Sequence, residues 1–178
     1  MSIVHVAGHP VLDLVGTVAE RGTTDEEQLS SAAVLATWFV GAGLVDEEPV
    51  VTREHLEQAQ TLREAVYRAI RARSTGQDVD RGDVLVINGW AGLAAVAPRL
   101  GPRGPLARVG TAEDCLAALA RSAVELLDPA VMRTVKWCAD SRCTHPFIDT
   151  SRGQRRRWCD MATCGARNKQ RAHRAKTA

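Results

Sequence analysis

The sequence predicts a mainly α protein in two parts. Residues 1–130 read as a helical N-terminal domain with at most one small β-hairpin, and residues 131–178 as a small cysteine-bearing module of short β-hairpin plus C-terminal helix. Three observations carry this expectation. Ala, Leu and Val recur at spacings of three and four through the first part, while aromatics are scarce: four Trp, two Phe and one Tyr. A core built from small aliphatics at that period is a helical core. Four of the five cysteines lie after Trp137, as two pairs with equal internal spacing. The charge also divides there. Met1 to Val135 holds 12 Lys and Arg against 18 Asp and Glu, a net of −6, whereas Lys136 to Ala178 holds 11 against 3, a net of +8. An acidic body with a basic end is the asymmetry of a chain that meets nucleic acid or a membrane surface at one end.

The elements follow in order. Residues 10–19, with Asp13 among apolar neighbours, are too short to choose between helix and strand. Gly22 to Glu27 reads as a polar loop. Ser30 or Ser31 then caps a helix through Phe39, ended by Gly41 and Gly43. Thr52 caps the clearest helix, in which Leu56, Ala59, Leu62, Val66, Ala69 and Ile70 share one face before Gly76 stops it. Asp80 to Ala97 reads as a further helix, weakened by Gly82, Gly89 and Gly92 at about 1 kcal/mol each. Pro98 to Gly110 is a loop or a small hairpin, with a turn at Gly101-Pro102-Arg103-Gly104. Thr111 caps a helix from Ala112 to Leu127, stopped by Asp128-Pro129, and Cys115 within it reads as core packing. Pro129 to Val135 is the junction, leading into a strand at Thr134 to Trp137.

Cys138 and Cys143 have four residues between them, as do Cys159 and Cys164, and fifteen residues separate the pairs. Zinc takes four ligands in a tetrahedron and favours thiolate in structural sites, and fifteen residues suffice for a hairpin to bring the second pair back. The four cysteines are therefore expected to bind one structural Zn2+. His145 is an alternative fourth ligand. Four thiolates leave no open coordination position, which argues against catalysis at the metal. Trp137, Phe147, Ile148 and Trp158 are nearly all the apolar bulk of the module, so the metal should supply much of its folding energy. Gly165 would let the backbone approach the Cys164 sulfur closely.

The basic residues surround the second pair. On a helix from about Cys164, Arg167, Arg171 and Arg174 share one face, flanked by Lys169 and Lys176, with Asn168 and Gln170 off the stripe. Such a stripe is able to clamp phosphates or present Arg to guanine in a major groove. Arg152 and the run Arg155, Arg156 and Arg157 would add contacts from the loop before Cys159. Duplex DNA is the expected partner. One finger reads few bases, so a homodimer with half-sites about one helical turn apart is expected. The competing reading is a zinc-stapled module that binds protein or RNA without sequence-specific DNA contacts.

The run Cys-Ala-Asp-Ser-Arg-Cys from Cys138, then Phe147-Ile148-Asp149-Thr150-Ser151-Arg152, then Arg156-Arg157-Trp158-Cys159 through Cys164-Gly165-Ala166-Arg167, resembles the CGNR zinc finger family. Ala166 stands where the family's tetrapeptide has Asn, and Gly153 where Asn is common. Leu12-Asp13-Leu14-Val15-Gly16-Thr17-Val18 and Leu62-Arg63-Glu64-Ala65-Val66-Tyr67 resemble the ABATE domain of stress-induced transcription regulators, with Gly16 at an Asn position. The resemblance spans almost the whole chain and implies a bacterial transcription regulator that binds DNA.

The body offers a candidate effector pocket at Asp13, Thr17, Trp38 and Arg63. Asp13 paired with Arg63, Trp38 in the core and Thr17 bonded to backbone are the plainer structural alternatives. No glycine phosphate loop, paired His/carboxylate motif or nucleophile elbow is present, so no enzyme is expected. The longest apolar run, Val84 to Ala97, falls short of the roughly 20 residues that span a bilayer, and the first residues lack the pattern of a signal peptide. A cytoplasmic protein without membrane partners is expected.

Overall fold

Helix α1, Pro10–Gly16, resolves the ambiguous first segment. His9 Nδ1 accepts the Val11 N–H, and Pro10 occupies the first turn, where its missing donor costs nothing. The computed structural model describes residues 5–100, 104 and 106–177. The expected turn at 101–103 and the Lys176 side chain lie outside the described residues.

Helices α2, Ala32–Gly41, and α3, Arg53–Ser74, follow the predicted caps. Ser31 accepts the Val34 N–H, and Thr52 and His55 form a reciprocal capping box. Helix α4, Arg81–Ala91, is shorter than the sequence pattern suggests. The Gly92 N–H donates to the Asn88 carbonyl and the Leu93 N–H to that of Trp90, and the Arg121 guanidinium caps the carbonyls of Ala91 and Leu93. With its last carbonyls taken and Pro98 ahead, the chain leaves the helix. It then forms a hairpin of β3, Ala97–Leu100, and β4, Leu106–Val109. Helix α5, Ala112–Leu126, begins in a capping box of Thr111 and Asp114, and the single turn α6, Pro129–Met132, closes the body.

The core lies where α1, α3 and α5 meet, with α4 against α3 and α5. Val11, Leu12, Leu14 and Val15 meet Leu62, Val66, Ile70, Leu116, Leu119 and Leu126, all essentially without solvent exposure. Cys115 is buried among them, and burial pushes its thiol up to about 12. It is a packing residue, as its isolation in the sequence implied.

The segment expected to be a polar loop contains strand β2, Glu26–Glu27, paired antiparallel with β1, Val18–Ala19. A buried arginine on α3 explains it. Arg63 is 3% exposed and grips both carboxylate oxygens of Glu27 at 2.7 and 2.6 Å. It also donates to Thr17 Oγ1 and to Glu64. Glu64 in turn accepts from Arg21 at 2.6 Å. Burial opposes ionisation of Glu64, yet Arg21 and Arg63 outweigh it and hold the carboxyl below its usual range. A depressed acid gives its full stabilisation above its unfolded value near 4.5 and loses it as pH falls through the folded value. Urea unfolding of the body should therefore show stability declining as pH drops below about 5. Glu64→Gln should flatten that decline, and an unchanged pH profile in the variant would exclude Glu64 as its source.

Candidate metal centre and basic surface

The module after α6 opens with β5, Val135–Trp137, paired to β6, Pro146–Ile148, in the register Val135↔Ile148, Lys136↔Phe147 and Trp137↔Pro146. Two knuckles follow. In the first, the Cys138 N–H donates to the His145 carbonyl and the Cys143 N–H to the Asp140 carbonyl. In the second, the Asp160 carboxylate accepts the Ala162 and Thr163 N–H groups. This caps a π-turn, Met161–Gly165, that runs into α7, Ala166–Thr177. Cys164 therefore sits in the first turns of this helical run, next to the amides of its N-terminal end. The Ala139 N–H donates to the Arg157 carbonyl and ties the knuckles together.

The four sulfurs of Cys138, Cys143, Cys159 and Cys164 lie within 4.8 Å of one another. Cys143 to Cys159 is 3.6 Å and Cys159 to Cys164 is 3.7 Å. A tetrahedron with Zn–S near 2.3 Å has edges of about 3.8 Å, so the spacing suits zinc and is too long for disulfides. Mutual contact raises the thiols of Cys143 and Cys159 and lowers that of Cys138, so one of the crowded sulfurs ionises at the expense of its neighbours. Thiols this close resist joint ionisation unless a cation neutralises them. The donor set thus fits one Zn2+ held by four thiolates. His145 is not a ligand; its ring packs 3.4 Å from where a Cβ on Gly16 would stand.

Polar anchors surround the sulfurs. Phe147 is wholly buried, with the Arg156 guanidinium 4.6 Å above its ring. Asp149, 2% exposed, accepts from Lys136 Nζ at 2.8 Å, from the Ser151 N–H and Oγ, and from the Arg156 N–H. Burial would raise its carboxyl, but these donors prevail and hold it well below the usual range. Gly153 and Gln154 turn the chain with φ of +83° and +49°. Gly accepts such a conformation at no steric cost, which accounts for Gly153 at this turn.

Several expected positions differ. Gly165 faces the Met161 thioether rather than a cysteine sulfur, and a Cβ at this position would stand 3.1 Å from the Met161 sulfur. Trp137 is not part of a closed finger core: it packs edge-on against Tyr67 of α3 at 5.9 Å and donates to Ser74. The finger and body are joined further by Ile148 N–H to the Ala7 carbonyl and by Arg156 to the Val6 carbonyl.

The basic residues sort into two groups. Arg167 Nε lies 3.0 Å from Asp140, and its Nη2 3.4 Å from Cys164 Sγ. Arg171 reaches Asp140 and Ser141. The face expected to be a free arginine stripe therefore turns partly inward, because the buried Asp140 demands a cation, as would the net −2 charge of four thiolates around one Zn2+. Arg156 is consumed by the carbonyls of Trp158, Cys159 and Val6. Asn168 Nδ2 donates to the Cys164 carbonyl and is not a free reader of bases. Arg152, Arg155, Arg157 and Lys169 are exposed and lack an acidic partner among the described residues, although Arg157 lies over the Trp158 ring at 5.3 Å. Arg174 is exposed on α7. Asp140, Arg142 and Glu20 have roles here that the sequence did not suggest, since none falls in a motif that names its partner.

The four residues considered for a pocket are placed as follows. Thr17 and Arg63 bond to each other at 3.0 Å. Asp13 accepts the Ala7 N–H rather than pairing with Arg63, and burial raises its carboxyl. Trp38 is 2% exposed, between His5 and Phe39. Arg63 alone of the four borders an open cleft of about 680 Å³, together with Arg21, Asp25, Glu27, Glu64 and Arg68. No helix among the described residues is long and apolar enough to cross a membrane.

Two known families match in chain order. The family described as "ABATE: Putative stress-induced transcription regulator" matches residues 8–128, and the CGNR zinc finger matches residues 134–177. No curated protein matches the chain.

Proposed function

We propose that this chain, which belongs to the ABATE family and ends in a CGNR zinc finger, is a transcription regulator whose finger contacts duplex DNA. In this reading the helical body dimerises and responds to a small-molecule effector. The protein acts by binding rather than by catalysis, in keeping with a zinc sphere closed by four thiolates. The observation that carries the reading is the set Arg152, Arg155, Arg157 and Lys169, exposed and free of acidic partners among the described residues, on a metal-held scaffold within a segment of net charge +8. The Arg152–Arg157 loop, more than the inward face of α7, is the element suited to gripping phosphates.

Fluorescence anisotropy on duplexes from the protein's own upstream region tests the reading. Six neutralised phosphates give a log–log salt slope of roughly −5. Replacing Arg155 and Arg157 by Ala should flatten the slope by about 2 and weaken binding about tenfold or more. A slope near zero in the unaltered protein would exclude duplex DNA and favour a protein- or RNA-binding module. Light scattering checks the dimer; a monomer both free and on DNA would rule it out.

A further inference from the structure

Arg167 serves three anions through separate edges of one guanidinium. Nε faces Asp140 and Nη2 faces Cys164 Sγ, both within the finger, while Nη1 lies 3.2 Å from Glu20 of the body. The same Glu20 oxygen is 3.7 Å from Arg142 Nε, on the first knuckle. Glu20 follows β1 with φ of +48°, a left-handed conformation that Glu seldom adopts. The next residue, Arg21, donates its N–H to Thr144 Oγ1, so two consecutive residues hold this turn against the finger. Arg142 is 57% exposed and Glu20 22% exposed, which places the carboxylate at the solvent edge rather than in a core.

We infer that Glu20 is an internal phosphate mimic: the acidic body presents its carboxylate to Arg142 and Arg167, and a nucleic-acid phosphate must displace it to use that pair. A carboxylate oxygen and a phosphate oxygen are both anionic acceptors for guanidinium N–H groups, so the two compete for the same Arg142 and Arg167 donors. The inference rests on polyanion binding by the finger and adds a restraint on it. It also differs in sign from a purely structural latch. Loss of a latch loosens the finger and weakens binding, whereas loss of a mimic exposes two arginines and strengthens it.

The test compares Glu20→Gln with Asp25→Asn, a neutralisation of equal charge on the same hairpin, where Asp25 caps Gly22 and has no ion pair to the finger among the described residues. Both zinc-loaded full-length variants are measured on duplex DNA and on heparin. Glu20→Gln should bind both about three- to tenfold more tightly, with a salt slope steeper by about 1 to 2. Asp25→Asn should stay within about twofold of the parent. Combining Glu20→Gln with Arg167→Ala should remove most of the gain. Equal effects of the two neutralisations, or weaker binding by Glu20→Gln, would overturn the inference. Absence of binding to heparin would overturn it as well. Binding to heparin without binding to duplex DNA would overturn the DNA reading alone and leave Glu20 to be judged on the heparin series.

Discussion

Removing zinc with a chelator, or replacing Cys159 by Ser, is expected to unfold residues 134–177 while the helical body stays folded. The finger has one wholly buried large side chain, Phe147; Trp137, Ile148 and Trp158 are half-buried, and the other buried apolar positions are small, Pro146 and three of the ligand cysteines. So little buried area does not offset the conformational entropy of ordering some forty residues. Structural zinc in finger peptides contributes roughly 10–16 kcal/mol, far more than that area provides. Metal analysis should give one zinc per chain. On chelation Trp137 and Trp158 should shift to the fluorescence of exposed indole, and proteolysis should cut the finger. Most of the helical circular dichroism should remain, because α1, α3 and α5 carry none of the four ligands themselves and pack chiefly on one another, although Cys138, Cys159 and Cys164 join the edge of the same apolar cluster. Acid should have the same effect as chelator, since protonated thiols release the metal. A chelated protein with a protease-resistant finger would exclude a metal-dependent fold.

Arg63→Ala is expected to be the most damaging single change in the body. The side chain is 4% exposed and supplies hydrogen bonds to Glu27, Glu64 and Thr17. Truncation strands these partners in a partly buried site, at a cost of about 3 kcal/mol. For a chain of this size that corresponds to a fall in Tm of roughly 6–12 °C. Arg53→Ala, which breaks the exposed pair with Glu57, should move Tm by about 1 °C or less. A comparable shift in the two variants would show that the Arg63 network contributes no more than a surface pair. The β1–β2 hairpin should loosen in Arg63→Ala, because Glu27 loses its anchor, and amide exchange of Val18 and Glu27 would report it.

The parts legible in the sequence are those with local causes. Thr52 and Thr111 cap α3 and α5 because a hydroxyl three residues before a free N–H is a matter of spacing along the chain. The zinc ligands were legible for a similar reason: two equal cysteine pairs near a hairpin have one compact arrangement that suits a tetrahedral ion. Where a cause lay far along the chain, the sequence was silent or pointed elsewhere. The end of α4 depends on Arg121, about thirty residues away, capping its carbonyls. Strand β2 depends on an arginine on α3. Helical spacing placed Arg167 and Arg171 on one face but did not say that the face would turn toward Asp140.

The helical class, the main caps, the zinc ligands and the concentration of positive charge at one end are all specified by sequence alone, because each follows from neighbours within a few turns of chain. Which positive charges remain available is settled by the tertiary fold. Asp140, Asp149 and the Cys164 sulfur each take the arginine or lysine that folding brings within about 4 Å, because a buried anion cannot be left unpaired, and Glu20 at the solvent edge draws Arg167 as well. Composition counts charges; only the fold pairs them.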